Sequence, residues 1–117
     1  MANYQNVTPI RLGQAAITAT YATLYTTPVN TRTYVKQMDV VNTTSGALSL
    51  YVHIVPTVGS GAPGTATVAN AIYYVYSIAA NAVLQWSGIQ VMDYGDTIQV
   101  KASGAGLTIT ASGGEAV

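Results

Sequence analysis

A chain of 117 residues with no cysteine has room for one domain, and neither a disulfide nor a thiolate metal site can staple it. Only 7% of its residues are Asp, Glu, Lys or Arg and the net charge is zero, where an ordinary globular protein has about 25% charged residues. Four scattered cations (Arg11, Arg32, Lys36 and Lys101) cannot neutralise a run of phosphates or form a basic membrane-binding face, so neither nucleic acid nor a membrane surface is expected as a partner.

In chain order, Met1 to Ile10 is mostly polar, with Asn3, Gln5, Asn6, Thr8 and Pro9, and reads as an extended N-terminal arm. It has no apolar stretch of the signal-peptide kind. Ala15–Thr20 and Ala22–Thr26 are strand-like, and Pro28 ends the second. Tyr34–Asn42 and Ala47–Pro56 both alternate, with Met38 and Val40 on one face of the first and Leu48, Leu50, Val52 and Ile54 on one face of the second. The small-residue turn Thr43-Thr44-Ser45-Gly46 between them predicts a hairpin.

Val58 to Ala69, with Gly-Ser-Gly-Ala-Pro-Gly inside it, predicts a long mobile loop. Beyond it, Ile72, Tyr74, Tyr76 and Ile78 fall on one face of a strand, and shorter strands follow at Val83–Trp86 and Ile89–Met92. Thr97–Lys101 and Leu107–Thr110 alternate around Ser103–Gly106, which predicts a second hairpin with Ile98, Val100, Leu107 and Ile109 inward. The domain is expected over residues 11–112, with residues 113–117 as a flexible C-terminal tail.

Branched and aromatic residues dominate and helical spacing is absent, so the fold class is all-β. Seven or eight short strands predict an antiparallel two-sheet β-sandwich, jelly-roll-like or Ig-like.

Catalytic chemistry finds little to work with. His53 is the single histidine, and no nucleophile motif accompanies it, so no Ser–His–carboxylate triad can be assembled from the sequence. Asp93-Tyr94-Gly95-Asp96 is the one close pair of carboxylates; turn chemistry explains it, and two ligands are too few for calcium. The glycine-rich loop lacks the Lys-Ser/Thr and the helix of a phosphate cradle. No enzyme activity, metal or cofactor is expected.

Nine tyrosines and Trp86, with no phenylalanine, suit surfaces half-buried against a partner. Tyr51, Tyr73 and His53 are expected away from the core face, and with Asn3 and Tyr4 of the arm they are the candidate partner contacts. A 50% hydrophobic chain with so few charges tends to associate, so neighbours in an assembly are expected to cover part of its surface.

Leu12-Gly13-Gln14, Leu24-Tyr25-Thr26-Thr27-Pro28, Val40-Val41-Asn42, Tyr73-Tyr74, Ile78-Ala79-Ala80-Asn81, and Asp96 before the Ile98/Val100 strand together resemble a family of small structural proteins of tailed bacteriophages. The resemblance runs from about Leu12 to Thr110 and implies a β-sandwich virion protein, above all a capsid decoration (cement) protein. It also implies homotrimers that bridge neighbouring major capsid protein subunits on the head surface. Lys36 and Asp39 depart from the family pattern, which has small or apolar residues there. The alternative is a tail, neck or fibre-associated module that recognises a host surface.

Overall fold

The computed structural model describes residues 4–117, which form eight strands: β1 (Val7–Ile17), β2 (Ala22–Thr26), β3 (Arg32–Asn42), β4 (Leu48–Val55), β5 (Ala71–Ile78), β6 (Val83–Met92), β7 (Thr97–Ala102) and β8 (Leu107–Ala116). Sheet A has the order β1-β8-β3-β6 and sheet B the order β2-β7-β4-β5, with every pairing antiparallel. Pairs 1–8, 2–7, 3–6 and 4–5 are those of one long hairpin rolled up on itself. That is the jelly roll, and it decides against the Ig-like topology.

The alternating faces predicted on either side of the 43–46 and 103–106 turns do point inward. Val35, Met38, Val40, Leu107, Ile109 and Ala111 of sheet A meet Leu50, Val52, Ile98 and Val100 of sheet B in one buried core.

Both predicted hairpins are corners instead. β3 and β4 lie in different sheets, as do β7 and β8, so the turns at 43–47 and 103–106 carry the chain across the sandwich. Period-2 alternation specifies which face is buried and says nothing about which strand lies alongside. The true hairpin is β4–β5, whose strands are joined by the long 56–70 segment.

Asn42 builds the β3–β4 corner from within. It is fully buried, its Nδ2 donates to Gly46 O (2.9 Å) and Ile78 O (3.0 Å), and its Oδ1 accepts from the N–H and hydroxyl of Thr44. Thr43 N to Gly106 O and Asn81 N to Thr44 O tie three corners together at that end. At the other end Asp96 organises the turn read as Asp-Tyr-Gly-Asp. Its carboxylate accepts from Asp93 N and Thr57 N, and Gly95 takes the positive φ (88°) that the turn requires.

The expected arm and tail differ most from the structure. Val7–Ile10 belongs to β1 and pairs with Gly113–Ala116 of β8, while Gln5 and Asn6 bond to Val117. The Gly-Gly that suggested fraying sits in an interior strand of sheet A, beside a bulge at Lys36. A Cβ on Gly113 would stand 1.8 Å from Tyr34 O, so the close approach of β3 and β8 needs glycine there. Likewise Val83–Trp86 and Ile89–Met92 are one strand, interrupted only by a register shift opposite Val35–Gln37.

Candidate functional site

The outer face of sheet B carries a cluster of rings. Tyr51 and His53 project outward from β4, alternating with the inward Leu50 and Val52. Tyr21 reaches over from the start of β2 and Tyr74 from the edge strand β5. The four rings close a cycle of edge-to-face contacts: Tyr21–Tyr51 at 6.4 Å, Tyr51–Tyr74 at 5.2 Å, Tyr74–His53 at 6.3 Å and His53–Tyr21 at 5.2 Å. Such geometry sets ring edges against faces and adds to simple area burial. Lys101, opposite Tyr51 on β7, lays its ammonium 4.9 Å from the Tyr51 ring centre and 5.2 Å from that of Tyr21. Burial raises the Tyr21 hydroxyl above the usual phenol range, with Tyr74 and Tyr51 adding to it.

His53 lies at the base of this cluster with no exposed surface, which corrects its assignment as a partner contact. The 56–70 segment and its single 3-10 turn (Val68–Asn70) fold down over it. Asn70 Oδ1 lies 2.8 Å from Nδ1 and also accepts from Thr67 N, while its Nδ2 donates to Thr65 O. That orientation of the amide makes Nδ1 the donor, and in the neutral ring Nε2 accepts from the Tyr21 hydroxyl at 3.0 Å. Next to it Gln99, paired with His53 across β4–β7, donates to Gly64 O and to Thr97 Oγ1. The loop expected to be mobile is therefore fastened to sheet B through the side-chain amides of Asn70 and Gln99.

Tyr73 also differs from expectation. Two register shifts in the β4–β5 pairing, with Val75 at φ 52°, reverse the alternation. Tyr73 turns in against the core and Tyr74 turns out. Tyr73 contacts Tyr76 at 5.0 Å, and its hydroxyl is raised by burial and by Tyr76. Tyr51 does face outward as expected. Tyr4 stacks under the Arg32 guanidinium (4.4 Å), which also bonds Asp93 at 3.0 Å; Asn3 lies outside the described residues. Sequence reasoning missed Tyr21, Asn70 and Lys101. The alternation on β7 signals Lys101, but nothing local announces that Tyr21 and Asn70 converge on β4.

On sheet A the bulges at Leu12 and Lys36 open two adjoining grooves of about 590 and 360 Å³, bordered by Pro9, Lys36 and Gly113, with Arg11 lining the larger and Ile89 the smaller. Lys36 owes its outward position to the bulge. Asp39 accepts from Gln37 Nε2 through both carboxylate oxygens. Tyr25, on β2 of sheet B, reaches the paired Thr33 and Glu115 of sheet A: it donates to Glu115 and lies 2.7 Å from Thr33 Oγ1, and burial, then the Glu115 bond, pushes its hydroxyl well above the usual phenol range. Among the described residues no three His, Asp or Glu side chains come together as metal ligands, and no helix is long and apolar enough to cross a membrane.

The molecule is a jelly-roll domain of the charge-poor kind whose polar side chains mostly fasten loops. No family profile matches its sequence, and no curated protein does. In structure it is similar to a chain of the Bacillus endospore appendages, described as a family of disulfide-linked pili. The identity is 12% and the TM-score 0.52, over 100% of this chain and 94% of that one. It is similar also to a chain of infectious bursal disease virus, Gx strain, at 17% identity and a TM-score of 0.53, over 95% of this chain and 32% of that one. The present chain thus spans about a third of that viral chain. At such identities the likeness is one of fold: the same roll occurs in a pilus and in a virus.

Proposed function

We propose that this chain is a structural protein of a bacteriophage virion, a capsid decoration subunit that stabilises the head by bridging major capsid protein subunits. The observation that carries the reading is a surface with very few charges that leaves Val29, Val58, Val68, Tyr74, Val75, Val83, Ile89 and Val91 exposed. A solitary soluble domain rarely tolerates that, whereas a subunit covered by neighbours does. The likeness to a viral chain agrees with the resemblance seen in the sequence. The chain acts by adding interface area, with stable contacts of about 1,000 Å² or more repeated by symmetry. It performs no catalysis in this reading: its one histidine is buried with both ring nitrogens engaged.

The test is to add the purified chain to undecorated heads of the phage that encodes it. Stoichiometric binding at hundreds of sites, with a rise in the temperature at which heads release DNA, is expected. Absence of binding to heads refutes it. The outer-face rings Tyr21, Tyr51 and Tyr74 favour one second reading, a tail or fibre-associated module that recognises a host surface through them. Binding of the isolated domain to host cells, with only a few copies per virion, would support that reading instead.

A further inference from the structure

Between Val40 and Met92 the chain contains no Asp, Glu, Lys or Arg. The topology brings this segment to one flank: it supplies β6 and β5, the edge strands of sheets A and B there, with β4 and the long loop next to β5. The opposite flank is guarded. Edge strand β1 carries Pro9, Arg11 and a bulge, and edge strand β2 is five residues long with a bulge of its own. Charges, proline, bulges and shortness are the devices by which proteins prevent an exposed strand from pairing with another chain.

β6 is ten residues long with neither charge nor proline. From Val83 to Ser87 it keeps a regular register with β3, and its other side has no partner strand. Its exposed apolar side chains include Val83 (55%), Ile89 (60%) and Val91 (50%). The inward Leu84 and Trp86 pack against the core yet stay half-exposed, because the sandwich ends there. On the adjacent edge Val75, a β-branched residue, holds a positive φ and turns outward with Tyr74. That conformation is strained and recurs at sites with a function.

We infer that β6 pairs antiparallel with β6 of a second copy of this chain, about a two-fold axis at Gln85, joining two A sheets into one of eight strands. In this register Gln85 meets Gln85 and Val83 meets Ser87 on the outer face. On the inner face Leu84 of each copy meets Trp86 of the other, so the contact continues the core across the boundary. A two-fold contact sets each residue near its own copy, so any charge close to the axis would face a like charge. The uncharged flank is the surface on which self-pairing avoids that repulsion. Because the chain has no cysteine, such a contact is held without a disulfide. The inference rests on the reading of this protein as an assembly subunit, and replaces the three-fold contact implied by the bacteriophage resemblance with a two-fold one.

The experiment uses the free full-length chain. Gln85 is exposed and paired with Asp39 on β3, so Gln85→Lys gains a carboxylate neighbour within its own fold while setting Lys against Lys at the axis. Sedimentation should give a dimer for the natural chain and a dimerisation constant weaker by on the order of 100-fold for Gln85→Lys, with its thermal unfolding still cooperative. Gln85→Cys should form a disulfide-linked dimer on mild oxidation, and Ala16→Cys on the β1 edge should not. A monomer at about 0.1 mM, a trimer, an open filament, or a Gln85→Lys dimer of unchanged strength overturns the inference. None of those results bears on whether the chain binds phage heads, which the head-binding experiment decides separately.

Discussion

At the scale of single residues, a few polar side chains do the positional work that charge pairs do elsewhere. Asn42 satisfies two backbone carbonyls and one amide where three corners meet, in a site closed to water. Alanine there removes the partners of Ile78 O and Thr44 N, while Gly46 O keeps the Thr44 hydroxyl, and each buried orphan costs about 1–3 kcal/mol. Asn42→Ala should therefore lose about 3 kcal/mol in urea unfolding with an unchanged m-value. Tyr25 gives a pH signature. Its hydroxyl is held above the ordinary phenol value by burial and Glu115, so the folded chain keeps that proton where the unfolded chain releases it. The associated stability is complete below about pH 10 and declines as pH rises above it. Melting temperature measured from pH 8 upward should fall less steeply in Tyr25→Phe than in the natural chain, although Tyr21 and Tyr73, raised in the same direction, keep some slope in both. Equal slopes would mean Tyr25 titrates normally.

At the scale of elements, the sequence shows where strands are and which side they bury, because alternation is local. Met38, Val40, Leu50, Val52, Ile98, Val100, Leu107 and Ile109 are all buried as their spacing predicts. Strand neighbours are not local, and two compact turns imitated hairpins when Asn42 and the Thr43–Gly106 bond were making corners. The same limit hid the site. Tyr73 and Tyr74 exchange faces through a bulge at Val75, a residue whose side chain gives no hint of positive φ. Glycines 113 and 114 suggested a loose end because glycine weakens strands in general, whereas here the approach of Tyr34 O requires Gly113 and a Cβ on Gly114 would meet Val7 Cγ1 at 3.0 Å. The long loop is the reverse case: its composition suggested freedom, and Asn70 removes it. Asn70→Ala strips the bonds to His53, Thr65 and Thr67, leaving a buried Nδ1–H unpaired. Hydrogen exchange in residues 56–70 should quicken by about ten-fold, with the β3 and β8 amides unaffected. If exchange in the loop is already fast in the natural chain, the fastening described above does not hold it.

At the scale of the whole molecule, the distribution of charge matters more than its sum. A net charge of zero could arise from mixed surfaces, but here Arg11, Arg32, Lys36, Asp39, Asp93, Asp96, Lys101 and Glu115 all lie outside the segment that builds the β4–β5–β6 flank. Contacts made through that flank are dehydrated apolar contacts plus strand hydrogen bonds, with Asp39 one strand away on β3 as the charge nearest the axis, so salt screening has little to act upon. The dimerisation constant of the natural chain should consequently change by less than about two-fold between about 0.05 and 0.5 M sodium chloride, over which the screening length falls from well above 10 Å to a few ångströms. Sodium sulfate, excluded from apolar surface, should strengthen association. Gln85→Lys supplies the contrast: its axial pair of like charges is screened by the same salt, so its weak dimerisation should recover as sodium chloride rises. A natural chain whose association weakens steeply with salt would instead be joined through its charged flank, where Arg11 and Lys36 border the sheet A grooves.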